Sequence, residues 1–569
     1  MTNKILIVGG VAGGGASAAA RLRRLDENAE IIMFEKGPHV SFSNCSLPYH
    51  LSGMVEDSKS LVLSTPETFK KRFNIEARVN SEVININREK RTIMVKDAVT
   101  GNTYEEGYDK LILSPPGAAP IRPGSIEGIH NKNVFTVRNV VDIEQLNAYI
   151  KENDLTDVAV IGGGFIGGVE VAENLRLAKL NVSVIEFADQ IMTPYDYDMA
   201  QILHKEMVDH GGVNLIVNDG LAKINDGSIE TQSGKQIKVQ AVVLAIGVRP
   251  ETRLAEDAGL EIGETGAIKV DHNYVTSDSN IYAVGDAIEV YHRLLHKPAL
   301  LALAGPAQKQ ARAVADHIYG IPNRNLGVIG SSSIHLFDLN AASTGLNVRT
   351  ADKAGYSWDS VYILPADKVG LMPNSNVMHF KLVYENPTGR ILGAQAIGKG
   401  NVDKRIEVIA TMITMNGTLE DLKDLELTYS PMLGTAKDVV NHAALVALNQ
   451  LYGKYREVKV AQVRELVENN AFIIDAREQN EYNAGHLKNA VNIPLSEFRD
   501  RLDEIPKDMA VYVHCRSGQR SYNMVMALKN LGFTNIFNIS GSYLGISLYE
   551  YYNDLVTDRE KIVTTYNFK

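Results

Sequence analysis

The stretch Lys4-Ile-Leu-Ile-Val-Gly-Gly-Val-Ala-Gly-Gly-Gly15 decides the fold of the first part of the chain, because a short apolar run leads directly into a glycine-rich turn. Ala16 to Leu25 then predicts a helix, and Glu30 to Glu35 predicts a second strand that ends in a carboxylate. In such a unit the glycines let the backbone approach a pyrophosphate, and an acid about 20 residues on accepts hydrogen bonds from ribose hydroxyls. The residues predicted to bind a first dinucleotide are Gly9, Val11, Ala12, Gly13, Gly14, Glu35 and Lys36.

The same pattern recurs in the stretch Asp157-Val-Ala-Val-Ile-Gly-Gly-Gly-Phe-Ile-Gly-Gly168. A predicted helix from Val169 to Leu177 and a predicted strand from Asn181 to Glu186 follow it. One such match is compatible with a merely tight turn, but two complete matches favour two nucleotide sites. The second site is predicted to use Gly162, Gly164, Gly167 and Glu186. A carboxylate at Glu186 accepts from a ribose 2′-hydroxyl and repels a 2′-phosphate, which favours NADH over NADPH.

Composition places these units in an ordinary globular protein of several domains. The chain has 569 residues, of which 45% are hydrophobic and 22% charged, with a net charge of -10. This negative balance argues against nucleic-acid binding. No apolar run of about 18 residues occurs and the start has no leader pattern, so we expect no membrane association and a cytoplasmic location. With only two cysteines, Cys45 and Cys515, neither a disulfide scaffold nor a metal site is predicted.

Three further segments make the pattern more specific: Leu111 to Ala118, Leu244 to Pro250 and Thr276 to Asp286. They resemble the strand-to-turn connections of the pyridine nucleotide-disulfide oxidoreductases, flavoproteins in which a second dinucleotide domain is inserted within the first. The resemblance implies FAD at the first glycine turn and NADH at the second. It also implies that Gly247, Gly285 and Asp286 contact the cofactors, with Asp286 near the ribityl chain and pyrophosphate.

The remainder of the chain predicts two more units. Alternating strands from about Leu326, with helices at Asp403 to Asn416 and Thr435 to Leu451, predict an α+β domain, which the same resemblance identifies as a dimerisation domain. The segments Phe472 to Glu478, Glu481 to Leu487, Ala490 to Pro494 and Val511 to Arg520 resemble a rhodanese module. The predicted fold is therefore α/β, with a Rossmann-like FAD domain (1–125 and 256–325) and NADH domain (126–255), a dimerisation domain (326–452) and an α/β rhodanese domain with a C-terminal extension (455–569).

Cys45 is the predicted catalytic residue of the first part. It lies in Ser41-Phe-Ser-Asn-Cys-Ser-Leu-Pro-Tyr49 with no second cysteine at Cys-x4-Cys spacing, so its sulfur partner must come from the substrate. The Ser-Phe-x-x-Cys pattern resembles the single-cysteine branch of the family, which includes coenzyme A disulfide or persulfide reductases and NADH oxidases and peroxidases. The oxidases and peroxidases carry a histidine near the first glycine turn, and Val11 to Ser17 has none, which favours the coenzyme A reductases. An oxidase or peroxidase that cycles through a Cys45 sulfenic acid remains the alternative.

A reactive Cys45 requires a lowered pKa, which we expect from a helix N-terminus or the flavin edge. Coenzyme A is polyanionic, and the residues that the resemblance assigns to it are Arg23, Lys70 and Lys71 at its phosphates and Ser41 and Asn44 at its thiol end. Relatives that reduce coenzyme A disulfide carry tyrosines in His-Ala-Gly-Tyr-Tyr-Pro and Leu-x-Tyr-x-Pro-x-Tyr. Here the segments read Lys368-Val-Gly-Leu-Met-Pro373 and Leu427-Thr-Tyr-Ser-Pro-Met-Leu433, so only Tyr429 remains as a third catalytic candidate. We therefore predict a persulfide rather than a disulfide substrate.

Three stretches are one residue longer than the family pattern: Gly13 to Gly15, Pro115 to Pro116 and Gly167 to Gly168. The roles of the individual glycines are therefore open by one position.

Cys515 begins the loop Cys-Arg-Ser-Gly-Gln-Arg520, whose Cys-x4-Arg spacing is that of a rhodanese, whereas a tyrosine phosphatase needs Cys-x5-Arg. The loop N–H groups stabilise a thiolate and a bound sulfane sulfur. The predicted loop residues are Arg516, Ser517, Gly518, Gln519 and Arg520, while structural roles are expected for Asp475, Arg477, His486 and His514. The resemblance implies a homodimer that uses coenzyme A persulfide or disulfide and other sulfane-sulfur donors. A sulfur-relay protein that delivers to a protein partner is the alternative of another class.

Overall fold

A computed structural model describes residues 3–10, 14–115 and 119–568 of the chain. Val11, Ala12 and Gly13, predicted to bind the first dinucleotide, lie outside the described residues, as does Pro116. The chain forms two compact units, one of residues 1–189 and 216–328 and the other of residues 190–215 and 329–569. No helix in the described ranges is long and apolar enough to cross a membrane.

The α-helices, in chain order, are α1 (Gly15–Leu25), α2 (Pro66–Phe73), α3 (Val140–Glu152), α4 (Val171–Leu177), α5 (Tyr197–Lys205), α6 (Arg253–Asp257), α7 (Ala304–Ile318), α8 (Val348–Lys353), α9 (Val402–Thr414), α10 (Leu419–Asp424), α11 (Val439–Leu451), α12 (Val463–Glu468), α13 (Gln479–Asn483), α14 (Gln519–Asn530) and α15 (Ser542–Val556). Helix α11 begins later than the Thr435 expected from the sequence, because Asp438 caps it by accepting from the backbone N–H of Val440.

The first unit contains a parallel five-stranded sheet in the order Ile281–Ala283, Lys110–Leu113, Lys4–Val8, Glu30–Phe34 and Glu76–Arg78. Ile5, Leu6 and Ile7 are fully buried, as expected for a parallel strand that is covered on both faces. Helices α1 and α7 pack against each other over this sheet. The carboxyl ends of its strands carry the first glycine turn and Glu35.

A second parallel sheet in the same unit carries the second glycine turn. Its strands Val134–Phe135, Ala241–Leu244, Asp157–Ile161 and Asn181–Ile185 lie side by side in that order. Since Ile281–Ala283 belongs to the first sheet, the chain returns there after completing the second, which is the topology of an inserted domain. The limits at 125/126 and 255/256 stay predictions.

The second unit contains an antiparallel sheet in the order Ser331–Leu336, Leu339–Gly345, Ile391–Gly398, Met378–Glu385 and Trp358–Ile363. Helix α9 packs on this sheet, and so does α11. A parallel sheet follows in the order Glu457–Val458, Ile536–Ile539, Val511–His514, Phe472–Asp475 and Ala490–Asn492. The Cys515 loop joins the end of its central strand to α14.

The other strands form small antiparallel sheets: Ser41–Phe42 with Val62–Ser64, Ser81–Asn87 with Thr92–Asp97 and Thr103–Gly107, Ala119–Pro120 with Val248–Arg249, Leu221–Asn225 with Ser228–Thr231 and Gln236–Lys238, and Val290–His292 with Lys297–Ala299. The short strand Asn214–Ile216 belongs to none of these small sheets.

Candidate active site

A cavity of about 620 Å³ in the first unit brings the two glycine-turn units together. The first contributes Glu35, Asn44 and Asp286 to its lining, and the second contributes Gly164 and Gly247. Lys36 and Gly167 also line it. Residues predicted for both dinucleotide sites therefore line one space, whereas Gly9, Gly14, Gly162, Glu186 and Gly285 are not among its lining residues.

The two glycine turns are built alike. The backbone N–H groups of Gly10 and Gly37 donate to the Glu35 carboxylate at 3.2 and 3.1 Å. In the second turn the N–H groups of Gly163 and Ala188 donate to Glu186 at 2.6 and 2.7 Å. Each acid thus ties the end of its strand to the glycine turn beside it. Burial raises the pKa of Glu35.

The backbone approaches most closely to Gly15 and Gly168 at the start of the helices that follow the two turns. A Cβ on Gly168 would lie 2.8 Å from the Gly162 carbonyl oxygen, and a Cβ on Gly15 would lie 1.9 Å from that of Gly9. A Cβ on the predicted Gly167 would meet only the Ala245 side chain, at 3.3 Å. Phe165–Glu170 forms a π-helical turn, the usual way in which a helix accommodates one extra residue. The π-helical turn therefore accommodates the extra glycine of the second turn at the start of the helix.

Gly285 and Asp286 lie in a short 3₁₀ turn at the end of the strand Ile281–Ala283. Gly285 has φ +82 and its N–H donates to Gln310 at 2.7 Å, which fixes the turn. Burial raises the pKa of Asp286. Gln310 was not identified from the sequence, because nothing in its helix distinguishes it from an ordinary surface glutamine.

Cys45 lies in the 3₁₀ turn Asn44–Ser46, next to the cavity-lining Asn44, and its side chain is accessible. The pKa of its thiol is nevertheless raised, first by the protein packed around it and then by the carboxylates of Glu170 and Asp286. The expected lowering by a helix N-terminus is therefore wrong for the protein's own groups, since a single 3₁₀ turn supplies no macrodipole to offset two carboxylates. Asn44 Oδ1 is buried and has no hydrogen-bond partner in the described part of the chain, which leaves an acceptor for a ligand.

Glu170 and Tyr49 are site residues that the sequence analysis missed. The Tyr49 hydroxyl donates to Glu170 at 3.4 Å. Burial and the neighbouring Glu173 raise the pKa of Glu170 to about 7. Burial and Glu170 raise that of Tyr49 to about 12. A carboxyl group that titrates near neutrality beside the reactive cysteine is able to hold or release a proton there.

Of the predicted coenzyme A residues, Arg23 requires a correction. It is 4% exposed, and all five guanidinium N–H groups donate to backbone carbonyls, those of Asp26, Glu27, Ala29, Phe73 and Asn74. Arg23 therefore links α1 to the end of α2 through hydrogen bonds and has no N–H group left to donate to a phosphate.

The other predicted coenzyme A residues remain accessible in part. Lys70 donates to Asn74 at 2.9 Å, while Lys71 is exposed at the end of α2, as is Arg24 at the end of α1. Ser41 lies in the short strand before Cys45. Arg24, Lys70 and Lys71 are therefore exposed basic groups open to an anion, whereas Arg23 is not.

Tyr429 lies in the second unit, between α10 and α11, and is 53% exposed. The catalytic role predicted for it stays a prediction.

The second unit holds the Cys515 loop. Cys515 is 1% exposed, and its Sγ accepts from the backbone N–H of Gly518 at 3.2 Å. Its own N–H donates to Ser542 Oγ at 3.2 Å. Arg520 makes a bidentate pair with Glu481 at 2.6 and 2.8 Å, and Arg516 donates to the Phe568 carbonyl at 3.4 Å. The loop thus presents the Gly518 backbone N–H to the sulfur, while Arg516 and Arg520 hydrogen-bond to Phe568 and Glu481.

Of the residues expected to be structural around this loop, Asp475, Arg477 and His514 are buried and His486 is partly exposed. Arg477 donates to both oxygens of Asp475, at 2.9 and 2.6 Å, and to the Gly485 carbonyl. Desolvation lowers the pKa of His514, which is fully buried beneath the loop. The Tyr482 and His486 rings stack at 3.8 Å.

Two dinucleotide-binding units around one cavity, a single cysteine beside it and a separate rhodanese-type loop define a nucleotide-dependent oxidoreductase joined to a sulfurtransferase domain. Comparison with known families agrees. Residues 3–311 match the family "Pyridine nucleotide-disulphide oxidoreductase", residues 331–439 its dimerisation domain and residues 459–548 the rhodanese-like domain. The chain belongs to the pyridine nucleotide-disulphide oxidoreductase family, whose members are flavoenzymes that use FAD and NAD(H). The predicted fold class is confirmed.

Individual relatives and solved structures are similar to most of the chain. The coenzyme A disulfide reductase of Staphylococcus epidermidis is 33% identical over 77% of this chain and 98% of its own. The crystal structure of reduced Bacillus anthracis CoADR-RHD is 42% identical, covers 97% of this chain and 98% of its own, and superposes with a TM-score of 0.92. A NAD-dependent persulfide reductase from A. fulgidus is 34% identical over 95% of this chain and 99% of its own, with a TM-score of 0.90.

Proposed function

We propose that the protein reduces coenzyme A persulfide at Cys45 with electrons from NADH, releases sulfide, and couples this reaction to sulfane-sulfur transfer at Cys515. One observation carries the proposal: Cys45 adjoins a cavity lined by both dinucleotide units, and the only other cysteine of the chain lies in a rhodanese loop. A cysteine without an intramolecular partner needs a substrate that brings its own sulfur. The relatives named for coenzyme A disulfide and persulfide reduction support that substrate class.

The residues around the cavity fit both cofactors. Open space at Gly164, where a Cβ would contact no atom, and the unpartnered Asn44 Oδ1 leave room and an acceptor for a ligand. Glu35, Lys36 and Asp286 would hold FAD, while Gly164, Gly247 and Glu186 would hold NADH. When bound, FAD supplies the transfer of two electrons from NADH to sulfur.

The sulfur chemistry balances with Cys45 as nucleophile. The Cys45 thiolate attacks the carbon-bound sulfur of coenzyme A persulfide, a Cys45–coenzyme A disulfide forms and hydrosulfide leaves. Two electrons and protons then return Cys45 and coenzyme A to thiols. The net reaction consumes one NADH and one proton and yields coenzyme A and hydrogen sulfide. We propose Glu170 as the acceptor of the thiol proton, since its carboxylate acts on the Cys45 pKa and its own pKa is raised to about 7.

Substrate preference is proposed from the altered tyrosine segments. Leu371, Met372 and Leu433 stand where disulfide-reducing relatives carry tyrosines, so of the hydroxyl donors for a departing coenzyme A thiolate only Tyr429 remains. Hydrosulfide is a small and good leaving group that needs no such donor. We also propose a homodimer in the reducing cytoplasm, which the dimerisation domain and the two free thiols support.

A pair of single substitutions tests whether Cys45 and Cys515 carry out separate reactions. Cys515→Ser should leave NADH-dependent reduction of preformed coenzyme A persulfide within about twofold of wild type, because that reaction needs only Cys45. Cys515→Ser should also abolish sulfur transfer from thiosulfate to cyanide. Cys45→Ser should abolish the reduction of coenzyme A persulfide and leave sulfur transfer from thiosulfate to cyanide unchanged. Loss of both activities in either variant, or a kcat/KM higher for coenzyme A disulfide than for the persulfide, would contradict the proposal. NADH consumption with oxygen alone, undiminished without any coenzyme A species, would instead favour an oxidase.

A further inference from the structure

Within the second unit, Tyr362 lies where the dimerisation domain contacts the rhodanese-like domain. It belongs to the strand Trp358–Ile363 at the edge of the antiparallel sheet, and it is buried. Its ring packs against Gly541 and Gly545 at the start of α15. A Cβ on Gly541 would lie 2.8 Å from the ring, and a Cβ on Gly545 would lie 3.1 Å from it. The two glycines therefore leave the space that the ring fills.

The Tyr362 ring is held in a fixed orientation. Its hydroxyl is hydrogen-bonded to His379 Nδ1 at 2.6 Å. Burial lowers the pKa of His379 to about 4 and raises the pKa of Tyr362, so both side chains stay neutral near pH 7. Beside it, Lys459 of the rhodanese-like domain pairs with Asp359 of the same strand at 3.0 Å. The contact between the two domains is therefore rigid at this point.

The start of α15 is bonded directly to the Cys515 loop. The Tyr543 N–H donates to the Cys515 carbonyl at 3.0 Å. The Leu544 N–H donates to the Arg516 carbonyl at 3.1 Å. The Cys515 N–H donates to Ser542 Oγ at 3.2 Å, and the Cys515 sulfur lies 3.9 Å from the same oxygen. A displacement of this end of α15 therefore displaces the backbone around the sulfur.

Ser542 has a backbone conformation that depends on its surroundings. Its φ is +47, a left-handed value that serine rarely adopts. Such a conformation persists only where the neighbouring structure imposes it. Gly541 comes directly before Ser542 and Gly545 comes three residues after it, and both contact the Tyr362 ring. The ring therefore fixes the backbone on both sides of Ser542.

We infer that Tyr362 is a positioning residue for Cys515. Its ring fixes the first turn of α15, and that turn holds Ser542 and the Cys515 loop in the arrangement that sulfur transfer requires. The inference rests on the proposed function for the reaction that Cys515 performs. It makes the rhodanese-like domain dependent on a side chain of the dimerisation domain.

The first test measures how readily the Cys515 loop opens. Because Cys515 is 1% exposed, iodoacetamide reaches its sulfur only when the loop opens. In the full-length holoenzyme with Cys45→Ser, Tyr362→Leu should increase the alkylation rate of Cys515 about threefold or more, as followed by intact mass. Tyr362→Phe keeps the ring and should stay within about twofold of the parent. An unchanged rate in Tyr362→Leu would overturn the inference.

Phe380→Leu is the matched control for general destabilisation. Phe380 is fully buried and follows His379 in the strand Met378–Glu385, so the alternation of side chains places it on the opposite face of the sheet from His379. Thermal unfolding measures the stability that each variant loses. Phe380→Leu should leave the alkylation rate within about twofold of the parent. An increase equal to that of Tyr362→Leu would show that general destabilisation is the cause and would overturn the inference.

Gly545→Ala disturbs the same contact from the side of α15. Its Cβ would press on the Tyr362 ring at 3.1 Å, although alanine itself favours a helix. Alone it should increase the alkylation rate, and added to Tyr362→Leu it should have no further effect, because the ring is gone. Additive effects of the two changes would contradict the inference.

Sulfur transfer from thiosulfate to cyanide separates positioning from donor binding, because Tyr362 also lines a cavity of about 360 Å³ beside the loop. Tyr362→Leu should lower kcat about fivefold or more and leave the KM for thiosulfate within about twofold of wild type. A higher KM with an unchanged kcat would assign Tyr362 to donor binding and overturn the inference. Absence of transfer in the wild-type protein would reject the proposed function, whereas the alkylation rates, which need no sulfur donor, would still decide the role of Tyr362.

Discussion

At the residue scale, the electrostatic setting of Cys45 differs from that of a cysteine activated by a cation. Its neighbours are the carboxylates of Glu170 and Asp286, and both raise the pKa of the thiol. Glu170 titrates at about 7, so its charge is fully present in the pH range where a cysteine begins to ionise. The protein's own groups therefore keep Cys45 protonated and leave its activation to bound ligands and to proton acceptance by Glu170.

Replacing the Glu170 carboxylate tests whether it raises the pKa of Cys45. Glu170→Gln, made in a Cys515→Ser background so that Cys45 is the sole thiol, should lower the pKa of Cys45, because a negative charge that opposes the thiolate is removed. The pH midpoint of the iodoacetamide alkylation rate should fall by roughly half a unit or more.

The control is Glu67→Gln on α2, an exposed acid that is not among the groups shifting Cys45. An unchanged or raised midpoint in Glu170→Gln would contradict the assignment.

At the element scale, the π-helical turn Phe165–Glu170 explains how the second glycine turn tolerates an added residue. The turn places Gly168 against the Gly162 carbonyl and places Glu170 within reach of Tyr49. The sequence pattern leaves the roles of Gly167 and Gly168 open by one position, because it does not show where the helix takes up the added residue. The register of the helix therefore decides which glycine has no room for a side chain.

Substitutions at the adjacent residues Gly167 and Gly168 test which of the two is close-packed. Gly168→Ala should destabilise the protein by about 1–3 kcal/mol and raise the KM for NADH, because its Cβ collides with backbone that has no room to move. Gly167→Ala should have a small effect, since its Cβ meets only the Ala245 methyl group. Thermal unfolding and steady-state kinetics measure both, and a larger effect at Gly167 would contradict the π-turn geometry.

At the scale of the whole molecule, the chain separates its two thiols into different units, with Cys45 in the first and Cys515 in the second. A small carrier with a flexible arm is a physical means of connecting two such sites, because tethering raises the effective concentration of sulfur at each. The match of residues 331–439 to the family dimerisation domain suggests a homodimer, in which a second copy of the chain belongs to the same assembly.

The oligomeric state is directly measurable. Light scattering on the purified protein should give twice the 62.4 kDa mass of one chain, and the mass should not change on dilution across the working range of the assay. A monomer with full reductase activity would contradict the proposed homodimer.

The sequence by itself determined the fold class, both glycine turns with their terminal acids, the single-cysteine motif and the rhodanese loop. These are properties of contiguous residues, in which spacing along the chain fixes the geometry. Only the tertiary structure showed that the Arg23 guanidinium donates to backbone carbonyls as far as 51 positions away in the sequence. It also showed that Tyr49 donates a hydrogen bond to Glu170, which is 121 positions away. The pKa of Cys45 and the close packing of Gly15 and Gly168 likewise depend on groups that folding brings together from different parts of the chain.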